Sequence, residues 1–169
     1  MKKPICILLC LSLLFGFSLT LSAQSSGEKL NQAELLKQFI GTWEAEIGQD
    51  TVIVVKCTSS NNGLYCLQEN KANGNVFLTF HALMGLSNDK EMIIGSFLNP
   101  NGTVVIDIGK FVSKSKFVTE RHSGNRIHSH TTVEWDFSIP ESFTGRIKWR
   151  GEDMIWPDKW LEWTFKKIK

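Results

Sequence analysis

The chain has 169 residues, 42% of them hydrophobic, with 19 Lys and Arg against 17 Asp and Glu. That is one domain's length, with enough apolar material for a sizeable core. The near balance of charge argues against a nucleic-acid partner, which needs a strongly basic surface.

At the N-terminus, Lys2 and Lys3 precede an apolar run from Ile5 to Leu21, and Leu21-Ser22-Ala23 leads into polar Gln24-Ser25-Ser26-Gly27. This is the three-part pattern of a secretory signal, with the cut expected after Ala23. Cys6 and Cys10 lie inside the run, and no cysteine follows it where a lipoprotein signal needs one. The expectation is an exported product, secreted or periplasmic, without stable membrane insertion once the signal is removed. An uncleaved anchor is the alternative, because the run is at the low end of membrane-spanning length. Removing residues 1–23 takes Lys2 and Lys3 with it, so 17 basic groups face 17 acidic ones and the mature chain is formally neutral. Residues 24–30 are expected to form a flexible N-terminus, and 31–169 a single domain.

Two cysteines survive in the mature chain, Cys57 and Cys66, and an exported protein meets an oxidising compartment where such a pair closes. A two-residue turn at Asn61-Asn62 sets Ser60 opposite Gly63 and Cys57 opposite Cys66. A turn at Asn62-Gly63 is chemically favoured for a hairpin but offsets the cysteines.

Asn31-Gln32-Ala33-Glu34 reads as an N-cap with a glutamate three residues on, flanked by Leu30 and Leu35 as a hydrophobic staple. Leu35, Leu36, Phe39 and Ile40 then share one helical face, and Gly41 permits the exit. The helix is about long enough to plug one end of a barrel. Beyond it, alternation and turn residues predict ten strands over 42–48, 51–58, 63–71, 75–86, 90–98, 103–112, 116–122, 126–138, 142–150 and 160–167. Most separators are hairpin-length, among them Asn73-Gly74, Asn88-Asp89, Ser113-Lys114-Ser115 and Gly124-Asn125; the exception runs from Gly151 to Lys159.

On the 126–138 strand, Ile127, Val133, Trp135 and Phe137 share one face, while Arg126, His128, His130, Glu134 and Asp136 share the other. The next strand repeats the pattern with Phe143, Ile147 and Trp149 against Arg146, Lys148 and Arg150. A loop centred on Pro140 aligns Val133 with Ile147 and Glu134 with Arg146, which satisfies both faces at once. The apolar row is expected to point inward. Ten antiparallel strands with open edges invite aggregation, and closure removes the edges. The expected fold is therefore all-β, a single up-and-down antiparallel meander closed into a barrel, with a short helix capping one end. Ten strands enclose more space than side chains normally fill, so a central cavity is expected. Two face-packed sheets would leave none.

At Gly41-Thr42-Trp43, where a short helix enters the first strand, the chain resembles the calycins: lipocalins, fatty-acid-binding proteins and bacterial lipocalin-like domains. The resemblance covers most of the mature chain. It implies a barrel whose base is closed by a cation over the motif tryptophan, and a small hydrophobic molecule held inside. The last strand carries no arginine for that position, and Lys166 is the expected substitute through a cation–π contact over Trp43, with Gly41 completing the motif. Phe80, Met84, Phe97, Trp135, Phe137, Trp149 and Trp163 are the candidate cavity-lining residues.

His122, His128 and His130 bracket the hairpin at Gly124-Asn125. A two-residue turn there pairs Arg121 with His128 and places His122 on the opposite face, so a shared metal site would need an added bulge. His81 is a candidate to line the cavity and ligate a haem, or else a hydrogen-bonded structural histidine. There is no Gly-x-Ser-x-Gly, no reactive cysteine outside the expected disulfide, and no pair of carboxylates at informative spacing. No catalytic residue, metal or cofactor is assigned, and the partner expected is a small hydrophobic molecule bound by a monomer. Two alternatives stand beside the carrier: a small enzyme or haem- or metal-binding barrel of the same fold, marked for an enzyme by Glu120, His122 or Asp107 pointing inward, and a structural or protein-binding module with a solid core and an apolar outer patch.

Overall fold

The computed structural model describes residues 29–123, 130–150 and 160–168. A short helix, α1 (Gln32–Leu36), runs into a 3-10 turn over Lys37–Phe39. Ten strands follow: β1 (Gly41–Gly48), β2 (Thr51–Ser60), β3 (Gly63–Ala72), β4 (Asn75–Leu86), β5 (Ile93–Leu98), β6 (Val104–Phe111), β7 (Lys116–Ser123), β8 (His130–Asp136), β9 (Ser142–Arg150) and β10 (Leu161–Ile168). Each pairs antiparallel with its chain neighbour, and β1 pairs with β10 to close the barrel. No helix among the described residues is long and apolar enough to cross a membrane.

The cap forms as its sequence dictates. The Asn31 side chain accepts the Glu34 N–H at 3.3 Å, and the chain leaves the 3-10 turn through Ile40 in extended geometry. Gly41 has φ +140°, and a Cβ there would sit 3.1 Å from Lys167 Cε. Two glutamines fasten this segment to the β6–β7 hairpin. Buried Gln32 donates through Nε2 to the Phe111 carbonyl at 3.1 Å and accepts the Phe111 N–H at 2.7 Å, while Gln38 Nε2 donates to the Lys114 carbonyl at 2.9 Å. The cap is thus bound to the end of the barrel by backbone-directed bonds as well as by its apolar face.

Phe39 enters the barrel from below, edge-on to Phe117, Trp135, Phe137 and Phe143 at centroid distances of 4.8–5.9 Å. Such edge-to-face pairs add to the stabilisation from burial itself. Trp43 is buried against Phe143 and donates Nε1–H to the Phe39 carbonyl at 2.8 Å.

In β2–β3, Asn61 adopts φ +49°, and the two-residue turn at Asn61-Asn62 puts Cys57 opposite Cys66, joined as a disulfide. In β8–β9, Val133 faces Ile147 and Glu134 faces Arg146, as the apolar alignment predicts. Two turns differ from expectation. Between β4 and β5 the loop spans 88–91, because Ser87 pairs with Met92 and Lys90 takes the left-handed conformation, so β5 starts at Ile93 rather than at 90.

Between β7 and β8 the register sets Arg121 opposite Thr131, not His128, so the connection is longer than Gly124-Asn125. The reason is packing. The observed register stacks inward Phe117 on Trp135 and Thr119 on Val133, whereas the two-residue turn would have paired inward Phe117 with outward Thr132. An odd slip in register moves one strand's whole apolar set to the wrong face.

Candidate functional site: the barrel lumen

Inward residues of β2 to β10 converge with Phe39 on a cavity of about 590 Å³ of unfilled space, open mouth included. Its water-accessible volume is about 70 Å³. Phe39, Phe117, Phe143 and Phe165 form its lower part, and Val55, Met84, Phe97, Trp135 and the Cys57–Cys66 pair contribute the walls. Three polar side chains complete the lining: Gln68, Asp107 and Thr119.

Strand parity brings the polar groups there. Phe111 is the inward end of β6, so Gly109 and Asp107 follow inward at two-residue steps, and across β7 they face Thr119 and Arg121. Asp107 is 3% exposed and receives both arms of the Arg121 guanidinium, Nε at 2.8 Å to Oδ1 and the terminal nitrogen at 2.9 Å to Oδ2. This bidentate geometry supplies the compensation a buried carboxylate requires. The guanidinium also lies 5.3 Å from the centre of the Phe97 ring. Among the described residues, Thr119 Oγ1 is the one buried side-chain polar atom without a hydrogen-bond partner. Two glycines are required by close approach: a Cβ at Gly145 would be 2.6 Å from the Trp135 ring, and one at Gly109 would collide with the Val118 carbonyl oxygen of the neighbouring strand.

Of the candidate lining residues, Met84, Phe97 and Trp135 border the cavity. Phe137 and Trp163 pack against the core clusters, and Phe80 is half-buried opposite Gln68. The Trp149 side chain, Ile127, Arg126 and His128 lie outside the described residues, as do residues 1–28 with the expected signal. Lys166 is exposed, and the cation over Trp43 is its neighbour Lys167, with Nζ 5.5 Å from the ring centre. Lys167 is the residue directly across from Trp43, so of the two lysines it is the one on the ring's face of the sheet.

His81 does not line the cavity. It stands on the outer wall, exposed, with Nδ1 2.8 Å from the Tyr65 hydroxyl. His122 and Glu120 are also exposed, so of the three groups that would mark an enzyme only Asp107 faces inward. His122 belongs to the outward row of β7, and the side chain of His130 lies outside the described residues. No group of three or more His, Cys, Asp or Glu able to hold a metal occurs among the described residues.

No family model matches the chain, and no curated protein matches it.

Thr119, Gln68 and Phe39 line the lumen and Arg121 holds Asp107 there, roles that their local sequence does not mark. The signal for two of them was present: the three-residue turn at Ser113-Lys114-Ser115 fixes Asp107 opposite Arg121 once Val112 is paired with Lys116.

Proposed function

We propose that the protein is an exported, lipocalin-like barrel that holds a small hydrophobic molecule in its lumen and acts as a monomer. One observation carries the reading: a ten-stranded barrel, plugged at one end by Phe39, keeps a mostly apolar cavity bordered by Met84, Phe97 and Trp135. Ligand sites are concave and apolar with a few placed polar groups, and this lumen has that composition. The closed meander is compatible with a calycin fold, and Lys167 over Trp43 occupies the place where such barrels seat a cation. Export is supported by the signal-like pattern of residues 1–23 and by the Cys57–Cys66 bond, which persists best in an oxidising compartment. Titrating tryptophan emission with a fatty acid, a retinoid, haem and one-ring aromatics tests the reading. A saturable response to at least one is expected, and silence towards all of them would overturn it.

A second reading, a protein-docking module, is favoured by the outer wall of β4–β6. Leu83, Ile94, Leu98, Val104 and Ile108 lie there side by side, each at least 37% exposed. Contiguous exposed apolar surface of this kind marks interaction sites. Concentration-dependent association in sedimentation, abolished by Leu83→Lys, would favour it over the carrier.

A further inference from the structure

We propose that the lumen selects a compact, uncharged hydrogen-bond donor, such as a one-ring aromatic alcohol, through a polar corner made by Asp107 and Thr119; this rests on the lumen being a ligand site.

Size is the first argument. The water-accessible space is about 70 Å³, less than half of the roughly 150 Å³ cavity that takes up benzene. A ligand of one ring already extends into the open mouth, and a long acyl chain finds still less room inside.

Charge is the second argument. Asp107 borders the cavity with its carboxylate held in place by Arg121, so the pair is neutral as a unit and leaves acceptor positions on the carboxylate. A carboxylate ligand would have to lie beside the buried Asp107 anion, and a cationic ligand would have to displace an arginine already held by two bonds. Neither gains enough to compensate.

Hydrogen-bonding capacity in the lumen is also unused. Thr119 borders the cavity, is 2% exposed, and its hydroxyl has no partner. Because Thr119 faces Gly109 and Asp107 faces Arg121, Thr119 and Asp107 are diagonal neighbours on the same inward face, at a spacing of about 7–8 Å that one ligand hydroxyl would bridge. The ligand O–H would donate to Asp107 and accept from Thr119, and its ring would lie among Phe97, Trp135 and Phe117.

Calorimetric titration of the mature protein with p-cresol, toluene and octanoate tests this, using wild type, Thr119→Val and Thr119→Ser of equal thermal stability. The expected result is that p-cresol binds wild type at least about tenfold more tightly than toluene or octanoate. Thr119→Val is expected to narrow the p-cresol-to-toluene gap to about threefold or less, and Thr119→Ser to keep it. An unchanged gap in Thr119→Val, or octanoate binding as tightly as p-cresol, would overturn the polar corner while leaving a lumen site standing. Failure of all three to bind wild type would overturn the corner; silence in the fluorescence panel as well would remove the lumen site itself.

Discussion

Lys167 Nζ lies 5.5 Å from the centre of the Trp43 ring, and the two residues face each other across the β1–β10 seam that closes the barrel. The seam is the last contact the meander makes, so the pair joins the two ends of the sheet. Lys167→Ala is expected to lower stability by about 0.5–1 kcal/mol through the lost cation–π contact. Lys166→Ala, on the opposite face, should stay within about 0.5 kcal/mol. Urea unfolding of both variants checks this, and a larger loss from Lys166→Ala would contradict the assignment.

The ion pair in the lumen gives a different signature. Arg121→Leu leaves the Asp107 carboxylate buried and uncompensated, and should cost about 3 kcal/mol. The double change Arg121→Leu with Asp107→Leu removes the stranded charge and should recover much of that loss. Simple additivity of the two single losses in thermal unfolding would show that the pair does not act as a unit.

How much of this was legible in the sequence varies by element. Strand number, the Cys57–Cys66 alignment and the inward face of the β8 strand follow from period-two alternation and turn chemistry, because Val133 and Trp135 could be buried in only one way. The β7–β8 register was not legible from the turn, because Gly124-Asn125 competes with the apolar match of Phe117 to Trp135, and the match wins. The cation over Trp43 depended on the same parity, one residue deciding between Lys166 and Lys167. The polar corner was hidden for another reason: Asp107 in an apolar strand reads equally well as solvent-facing until Arg121 is placed opposite it. Nothing in the local sequence of Gln32 announces that its amide reaches 79 positions along the chain to Phe111.

That contact carries its own prediction. Gln32→Leu keeps the volume but strips the Phe111 N–H and carbonyl of their side-chain partners in a buried position, at an expected cost of about 2 kcal/mol. Gln38→Leu, whose bond to the Lys114 carbonyl is exposed, should cost about 0.5 kcal/mol or less. Hydrogen exchange of the Phe111 amide, accelerated in Gln32→Leu and unchanged in Gln38→Leu, distinguishes them.

At the lower rim, the Asp136 carboxyl is held below its usual 3.8, first by the Ser138 hydroxyl and then by the Ser138 N–H, which donates to Oδ1 at 2.8 Å. The folded value lies below the unfolded one, so the stabilisation is fully present above about pH 4 and is lost as pH falls through the folded value. Asp136 is exposed, so the effect is about a few tenths of a kcal/mol. Asp136→Asn should therefore be slightly less stable than wild type at pH 7, with the difference vanishing near pH 2. A difference that grows on acidification would contradict the sign.

The central claim is that the lumen admits a small apolar molecule, and methionine methyl groups report on it directly. Met84 borders the cavity, whereas Met92 sits in the β4–β5 turn with its backbone bonded to Ser87. In protein labelled at the methionine methyls, titration with p-cresol should move the Met84 resonance saturably and leave Met92 in place. A Met84 signal that stays fixed, or that moves only as far as Met92 does, would contradict the account.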